Sequence, residues 1–69
     1  MKHRSEVPSP RQIEIAQLCA DGYNLREVSE RLGISFNTAK THAQDLYRCV
    51  GASSMPQAVA IGIRAGWLK

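Results

Sequence analysis

The side chains between residues 35 and 44 are the ones in this chain whose types and spacing could do chemistry. They are hydroxyl, amide and amine groups with no carboxylate among them: Ser35, Asn37, Thr38, Lys40, Thr41 and Gln44. Such groups hydrogen-bond to base edges and phosphate oxygens, and a glutamine can pair with both exposed atoms of adenine. The set therefore suits a negatively charged duplex, with adenine as a candidate base opposite Gln44.

The chain lacks the residue groups that are typical of enzymes and metal sites. It has no paired carboxylates, no nucleophile with an orienting base and no glycine-rich phosphate loop. Neither the histidines, His3 and His42, nor the cysteines, Cys19 and Cys49, have the spacing of metal ligands. We therefore expect no catalytic activity, no metal and no cofactor, and we expect both cysteines to be reduced.

Capping residues and helix breakers divide the chain into four predicted helices. With their caps included, the helices run from Ser9 to Ala20, from Asn24 to Leu32, from Ser35 to Val50 and from Met55 to Ala65. Pro10 suits the first helical position, and Glu27 can complete a capping box with Asn24. Trp67 and Leu68 are expected to fold back over the end of the fourth helix. The sequence therefore predicts an all-α fold of four helices.

The second and third helices are separated by a turn with a single glycine, Gly33, which predicts a helix-turn-helix. Two helices that cross at roughly 90–120° leave room only for a small side chain at their closest approach, and Ser29 meets this need. Gly33 can adopt the positive φ that the turn requires. Apolar residues on both sides would fix the crossing angle: Val28, Leu32, Ile34 and Ala39. The polar face of the third helix would then project rigidly and fit the major groove of DNA.

Length and composition fit one small domain with a modest positive charge. The chain has 69 residues, of which 43% are hydrophobic and 22% charged, and its formal net charge is +3. We expect a flexible basic arm over residues 1–8 and one domain over residues 9–69. Neither a membrane-spanning segment nor a signal peptide is recognisable, so we expect a cytoplasmic protein with no membrane partner.

Several short motifs are spread along the chain in a characteristic order. They are Ser9-Pro10-Arg11-Gln12, Gly22-Tyr23-Asn24, Glu27-Val28, Leu32-Gly33-Ile34-Ser35, Thr38-Ala39-Lys40-Thr41-His42, Leu46-Tyr47, Gly51-Ala52-Ser53-Ser54 and Ala58-Val59-Ala60. Together they resemble the LuxR/GerE-type regulators of bacteria over about residues 9–68. The resemblance implies a bacterial or phage transcription regulator that binds double-stranded DNA at the nucleoid, with the helix-turn-helix in the second and third helices.

The resemblance also implies roles for individual residues. The base-contacting positions of the family fall on Lys40, Thr41 and Gln44. Its phosphate-contacting positions fall on Asn37, Thr38, Arg48 and Arg26. Three residues depart from the family pattern: Gln44 where a basic residue is frequent, Cys49 where lysine is usual, and Pro8 where leucine is usual. We expect the first two departures to weaken attraction to phosphate, and the third to loosen the start of the first helix.

The fourth helix is expected to join two copies of the domain. Its apolar residues lie on more than one face, so they cannot all pack inward, and this helix commonly serves in dimerisation in the family. The candidate interface consists of Gln57, Ala58, Ile61, Arg64 and Ala65. A monomer makes few phosphate contacts, so we expect a homodimer that is weak in free solution and stronger on DNA.

An alternative function is compatible with the modest basic charge. A helix-turn-helix scaffold can act as a protein-interaction module, and its partner would be another regulator or RNA polymerase. The promoter-recognising region of sigma factors is a second possible relative, but it lacks the loop over residues 51–54 and the apolar fourth helix. Added salt should weaken DNA binding steeply and an apolar protein contact barely, which separates the two functions.

Overall fold

Each of the four helices begins at a polar capping residue. In the computed structural model, which describes residues 7–69, the helices are α1 (Pro10–Ala20), α2 (Leu25–Leu32), α3 (Phe36–Val50) and α4 (Met55–Ala65). The caps are Ser9, Asn24, Ser35 and Ser54, and each of their side chains accepts a hydrogen bond from a backbone N–H in the first turn. The prediction of an all-α fold with four helices is confirmed.

Reciprocal hydrogen bonds fix the starts of α1 and α2. The Asn24 N–H donates to Glu27 Oε1 at 2.9 Å, and the Glu27 N–H donates to Asn24 Oδ1 at 2.8 Å. Ser9 and Gln12 form the same pair of bonds, each 3.2 Å long. These bonds satisfy amides that have no partner within the helix, so the first residue of each helix is set locally by the sequence.

The hydrophobic core lies between α1, α3 and α4. Its buried members are Ala16 on α1, Leu46 on α3, Ala58 on α4 and Leu68 beyond α4. The second helix packs against α1 and α3 and buries Val28 completely. Because α3 contacts all three other helices, the direction of its remaining face is fixed by the rest of the domain.

The residues after α4 close over its C-terminal end. The N–H groups of Trp67 and Leu68 donate to the Gly62 carbonyl oxygen at 3.0 and 3.1 Å, and the Leu68 side chain is buried. This arrangement confirms the predicted return of the chain. A Cβ atom on Gly62 would lie 2.8 Å from atoms of both side chains, so only glycine fits there without a shift.

The predicted arm over residues 1–8 lies mostly outside the described residues. Of its two described residues, Val7 is exposed and Pro8 is buried. Proline has no backbone N–H, so its burial leaves no donor without a partner. Pro8 is therefore a packed residue, although the prediction placed it in the arm.

Candidate nucleic-acid interface

A tight turn over residues 33–35 joins α2 to α3. Gly33 ends α2 with φ 70°, a left-handed conformation that costs other residues about 1–2 kcal/mol. The Ile34 N–H donates to the Ser29 carbonyl oxygen at 3.0 Å. Ser29 itself is only 4% exposed, and its hydroxyl donates to the Arg26 carbonyl oxygen at 2.7 Å. The burial of Ser29 agrees with the need for a small side chain in α2 beside this turn.

One side of α3 is buried, and the opposite side is exposed. Ala39, Ala43 and Leu46 are at most 1% exposed. The exposed residues Asn37, Lys40, Thr41, Gln44 and Arg48 follow one another at spacings of one, three or four. We refer to these five residues as the α3 stripe. It extends for about 16 Å along the helix, since each residue adds about 1.5 Å.

Hydrogen bonds within α3 decide what its threonines can offer to a ligand. The Thr41 hydroxyl donates to the Asn37 carbonyl oxygen at 3.0 Å, so its hydrogen is used within the helix, whereas its oxygen can still accept a hydrogen bond. The exposed Thr38 instead accepts from the Ser35 hydroxyl at 2.8 Å. Thr38 therefore retains its own hydroxyl hydrogen for an acceptor such as a phosphate oxygen.

The last cation of the stripe is paired with a carboxylate. Arg48 forms an ion pair with Asp45, one turn earlier on α3, and its side chain is 75% exposed. A pair this exposed contributes little to folding stability. It does partly neutralise the positive charge of Arg48, so a phosphate group would have to compete with Asp45.

An aromatic ring holds the two remaining cations of the predicted site. The guanidinium carbon of Arg26 lies 4.3 Å from the centre of the Phe36 ring, and Lys40 Nζ lies 5.5 Å from the same centre. Both distances are within the range of cation–π contacts. This contact was not predicted from the sequence, although Phe36 and Lys40 stand one turn apart on the same helix. The approach of Arg26 from α2 depends on the geometry of the turn.

The predicted dimer residues on α4 differ in their exposure. Gln57, Arg64 and Ala65 are exposed and Ile61 is half-buried, whereas Ala58 is 0% exposed. The inclusion of Ala58 was wrong, because its small side chain fills the core of its own monomer. The large apolar residue that α4 leaves on the surface is Ile63, which is 55% exposed.

Cys19 behaves as a packing residue. It is half-buried on α1, and burial raises the pKa of its thiol. Burial also raises the pKa of Tyr47, and the neighbouring Cys19 adds a smaller effect in the same direction. The Cys19 thiol is therefore predominantly neutral at physiological pH, which disfavours a role as a nucleophile.

Other kinds of site find no support in the described part of the chain. Within residues 7–69, no three His, Cys, Asp or Glu side chains converge as metal ligands would. No helix in this range is long and apolar enough to cross a membrane. A shallow groove of about 510 Å³ is lined by residues of α1 and of the C-terminus, and it shares no residue with the α3 stripe.

Comparisons with known protein sequences identify the family. A family model described as bacterial regulatory proteins, luxR family (GerE) matches residues 6–61. The transcriptional regulatory protein DegU of Brevibacillus brevis is 37% identical over 59 residues, which are 86% of this chain and 25% of that protein. The oxygen regulatory protein NreC of Staphylococcus aureus (strain JH9) is 30% identical over 64 residues, which are 93% of this chain and 30% of that protein. This chain thus spans between a quarter and a third of the length of these curated relatives.

Two solved structures share the fold. The structure of the transcription factor GerE superposes with a TM-score of 0.85 at 32% identity, covering 96% of this chain and 97% of that one. VqmA, from a VqmA–ligand–DNA complex of Vibrio cholera, superposes with a TM-score of 0.79 at 21% identity, covering 97% of this chain and 29% of that one, and supports the fold alone. The relatives are named as regulators and not as enzymes, which confirms the expectation that this chain is not an enzyme. The resemblance seen in the sequence is thereby confirmed as well: the chain belongs to the luxR family of bacterial regulatory proteins, as a helix-turn-helix DNA-binding domain.

Proposed function

We propose that this domain recognises a specific DNA sequence by inserting α3 into the major groove. One observation carries the proposal: α3 buries its apolar side in the domain and leaves the α3 stripe exposed. The major groove is about 12 Å wide and accommodates a single helix. Lys40, Thr41 and Gln44 would contact base edges. Because the Thr41 hydroxyl hydrogen is already donated to the helix backbone, we expect Thr41 to contact a thymine methyl group or a base donor.

The phosphate contacts would lie on both sides of these base-contacting residues. Asn37 and Thr38 belong to the first turn of α3, where backbone N–H groups and the helix dipole attract anions. Arg48 stands near the other end of the same helix, and Arg26 is exposed on α2. These four contacts would fix the orientation of α3 without carrying sequence information themselves.

Two copies of the domain would bind adjacent half-sites. A single domain of this size supplies few contacts, and paired half-sites about one helical turn apart are the usual solution. The interface would lie on the exposed side of α4, with Gln57, Ile63 and Arg64 at its centre. Ile61 is two residues from Ile63 and therefore points to a different side of the helix, so Ile61 and Ala65 would lie at the margin of the interface. We expect this dimer to be weak in free solution and stronger on DNA.

RNA polymerase is a further predicted partner, and the bacterial cytoplasm, at the nucleoid, is the predicted location.

Selection of duplexes from a random pool tests binding, half-site sequence and half-site spacing together. On the selected duplex, Lys40→Ala should weaken the free energy of DNA binding by about 1–3 kcal/mol and relax the preference at one base position. Arg48→Ala should weaken binding to all sequences alike and lower the salt slope by about 1. The control is Arg11→Ala, since the Arg11 side chain is 42% exposed and also pairs with a carboxylate one turn away, but on α1. The control should leave both the affinity and the salt slope nearly unchanged.

Two results would contradict the proposal. If no duplex is enriched, or if binding is insensitive to salt between about 50 and 200 mM, the protein-interaction module becomes the better explanation. If Arg48→Ala loses sequence discrimination while Lys40→Ala only loses affinity, the assignment of base and phosphate contacts is reversed.

A further inference from the structure

We propose that Phe36 is a positioning residue that holds Arg26 and Lys40 ready for DNA. The inference rests on the proposed function, because it concerns two of the side chains that would contact the duplex. Phe36 is the first residue of α3 and directly follows the turn that joins α2 to α3, and it is half-buried.

The ring contacts one cation from each helix of the helix-turn-helix. The Arg26 guanidinium, on α2, lies 4.3 Å from the ring centre, and the Lys40 ammonium, on α3, lies 5.5 Å from it. Within residues 7–69 neither cation forms an ion pair with a carboxylate. The aromatic ring is therefore the charge-attracting group that the structure offers to both side chains.

An aromatic face restrains a cation without cancelling its charge. A carboxylate neighbour, such as Asp45 beside Arg48, also restrains its partner but competes with phosphate for it. The quadrupole of the Phe36 ring attracts a cation while the ring stays neutral, so the full positive charge remains available to the duplex. Arginine and lysine lose much side-chain freedom on binding, and a side chain that is already restrained loses less.

The shared ring also links a predicted phosphate contact to a predicted base contact. Arg26 is a candidate for contact with the phosphate backbone and Lys40 for contact with a base edge, and both contact the Phe36 ring. Removing the ring should therefore reduce both the general affinity and the discrimination at the base that Lys40 contacts. A residue that only stabilised the fold would change neither quantity once the domain is folded.

Three replacements of Phe36 distinguish the effect of its aromatic face from the effect of its apolar volume. Phe36→Leu removes the face and keeps an apolar side chain, and Phe36→Trp keeps an aromatic face. Total synthesis of the 69-residue chain permits cyclohexylalanine at position 36, which retains the shape of the ring without its π electrons. Circular dichroism melting confirms that each version is folded at the temperature of the binding assay. If Phe36→Leu does not fold, the cyclohexylalanine chain provides the same comparison.

We expect the cyclohexylalanine and leucine versions to bind the selected duplex about two- to fivefold more weakly for each cation–π interaction that the change removes. Phe36→Trp should stay within about twofold of the wild type. In a Lys40→Ala or Arg26→Ala background, the effect of Phe36→Leu should shrink, because one of the two cations is already absent. The matched control is Tyr23→Leu, which removes the interaction of Arg31 with the Tyr23 ring at 4.4 Å and should leave sequence discrimination intact.

Full affinity and full discrimination in the cyclohexylalanine chain would overturn the inference, because apolar bulk alone would then suffice. An undiminished effect of Phe36→Leu in both alanine backgrounds would overturn it as well. Failure of the proposed function has a different signature: the wild-type domain itself would select no duplex.

Discussion

The cationic side chains around α3 contact either an aromatic ring or a carboxylate, and this difference determines how much positive charge each can offer to a phosphate group. Arg26 and Lys40 contact an uncharged aromatic ring, whereas Arg48 pairs with Asp45. The ring leaves the positive charge intact, while the carboxylate reduces it and repels phosphate. Asp45 is thus expected to act against DNA binding, within a surface that is otherwise suited to it.

Asp45→Asn should therefore tighten binding to any duplex by about two- to fivefold, in line with an exposed ion pair worth up to ~1 kcal/mol. The change frees Arg48 and removes a negative charge that would lie close to the phosphates. Glu14→Gln is the control, because it removes the same charge from a second Arg–carboxylate pair of this spacing, on α1. Fluorescence anisotropy titration with a labelled duplex measures both variants. Weaker binding by Asp45→Asn, or an equal gain in both variants, would contradict the role assigned to Arg48.

The sequence predicted which residues share the exposed face of α3 but not how they interact. A spacing of three and four residues was enough to separate Lys40, Thr41 and Gln44 from the buried alanines. The orientation of the Thr41 hydroxyl and the approach of Arg26 to Phe36 depend on side-chain rotamers and on the turn. Residue types and spacing contain no direct information about either.

Helix boundaries were predictable because the signals that set them are local. A capping side chain, a proline at the first position and a glycine after the last turn each act on backbone groups no more than about four residues away. The rotation of α4 about its own axis is set instead by what the helix packs against. For this reason the sequence could show that some apolar residues of α4 must face outward, but it placed Ala58 in the interface and omitted Ile63, the large apolar residue that α4 exposes.

Gly62 provides a test of how closely the C-terminal residues pack on α4. Replacing a helical glycine with alanine usually stabilises a protein by about 1 kcal/mol. At Gly62 the new methyl group would lie 2.8 Å from Leu68 Cγ and from Trp67 Cζ3, and overpacking typically costs about 1–3 kcal/mol. We therefore expect Gly62→Ala to lower the free energy of unfolding, measured in urea.

The exposed Ala60, on the same helix, supplies the control for helix propensity. Ala60→Gly should lower the free energy of unfolding by about 1 kcal/mol, which is the ordinary preference of a helix for alanine over glycine. A Gly62→Ala variant that is more stable than the wild type would show that Trp67 and Leu68 do not pack tightly on α4.

At the scale of the whole molecule, the proposed recognition surface and the proposed dimer surface lie on different helices. The α3 stripe belongs to one helix, and Ile63 belongs to another whose opposite side is buried in the core. Two such domains could therefore pair through α4 while each keeps its own α3 free for a half-site. Pairing then adds contacts on the duplex without any change within the domain.

Ile63→Asp should abolish the joint occupation of a duplex with two half-sites, because a charge would be buried between the two α4 helices. The stability of the monomer should hardly change, since the Ile63 side chain is 55% exposed. Val7→Asp makes the same chemical change at the other exposed large apolar residue of the described chain and should leave pairing intact. Sedimentation velocity on duplexes with one or two half-sites gives the stoichiometry. One wild-type domain per duplex, even with two half-sites, would contradict the proposed dimer.

The position of α3 in the groove can be measured through the atoms of the DNA. In the selected duplex, a purine that lacks N7 loses an acceptor in the major groove, whereas inosine in place of guanine loses an amino group only in the minor groove. At the base contacted by Lys40, we predict that the N7 deletion weakens binding of the wild type by about 1–3 kcal/mol and has little further effect on Lys40→Ala. Inosine should be tolerated at the same position. Loss of binding with inosine but not with the N7 deletion would contradict the insertion of α3 into the major groove.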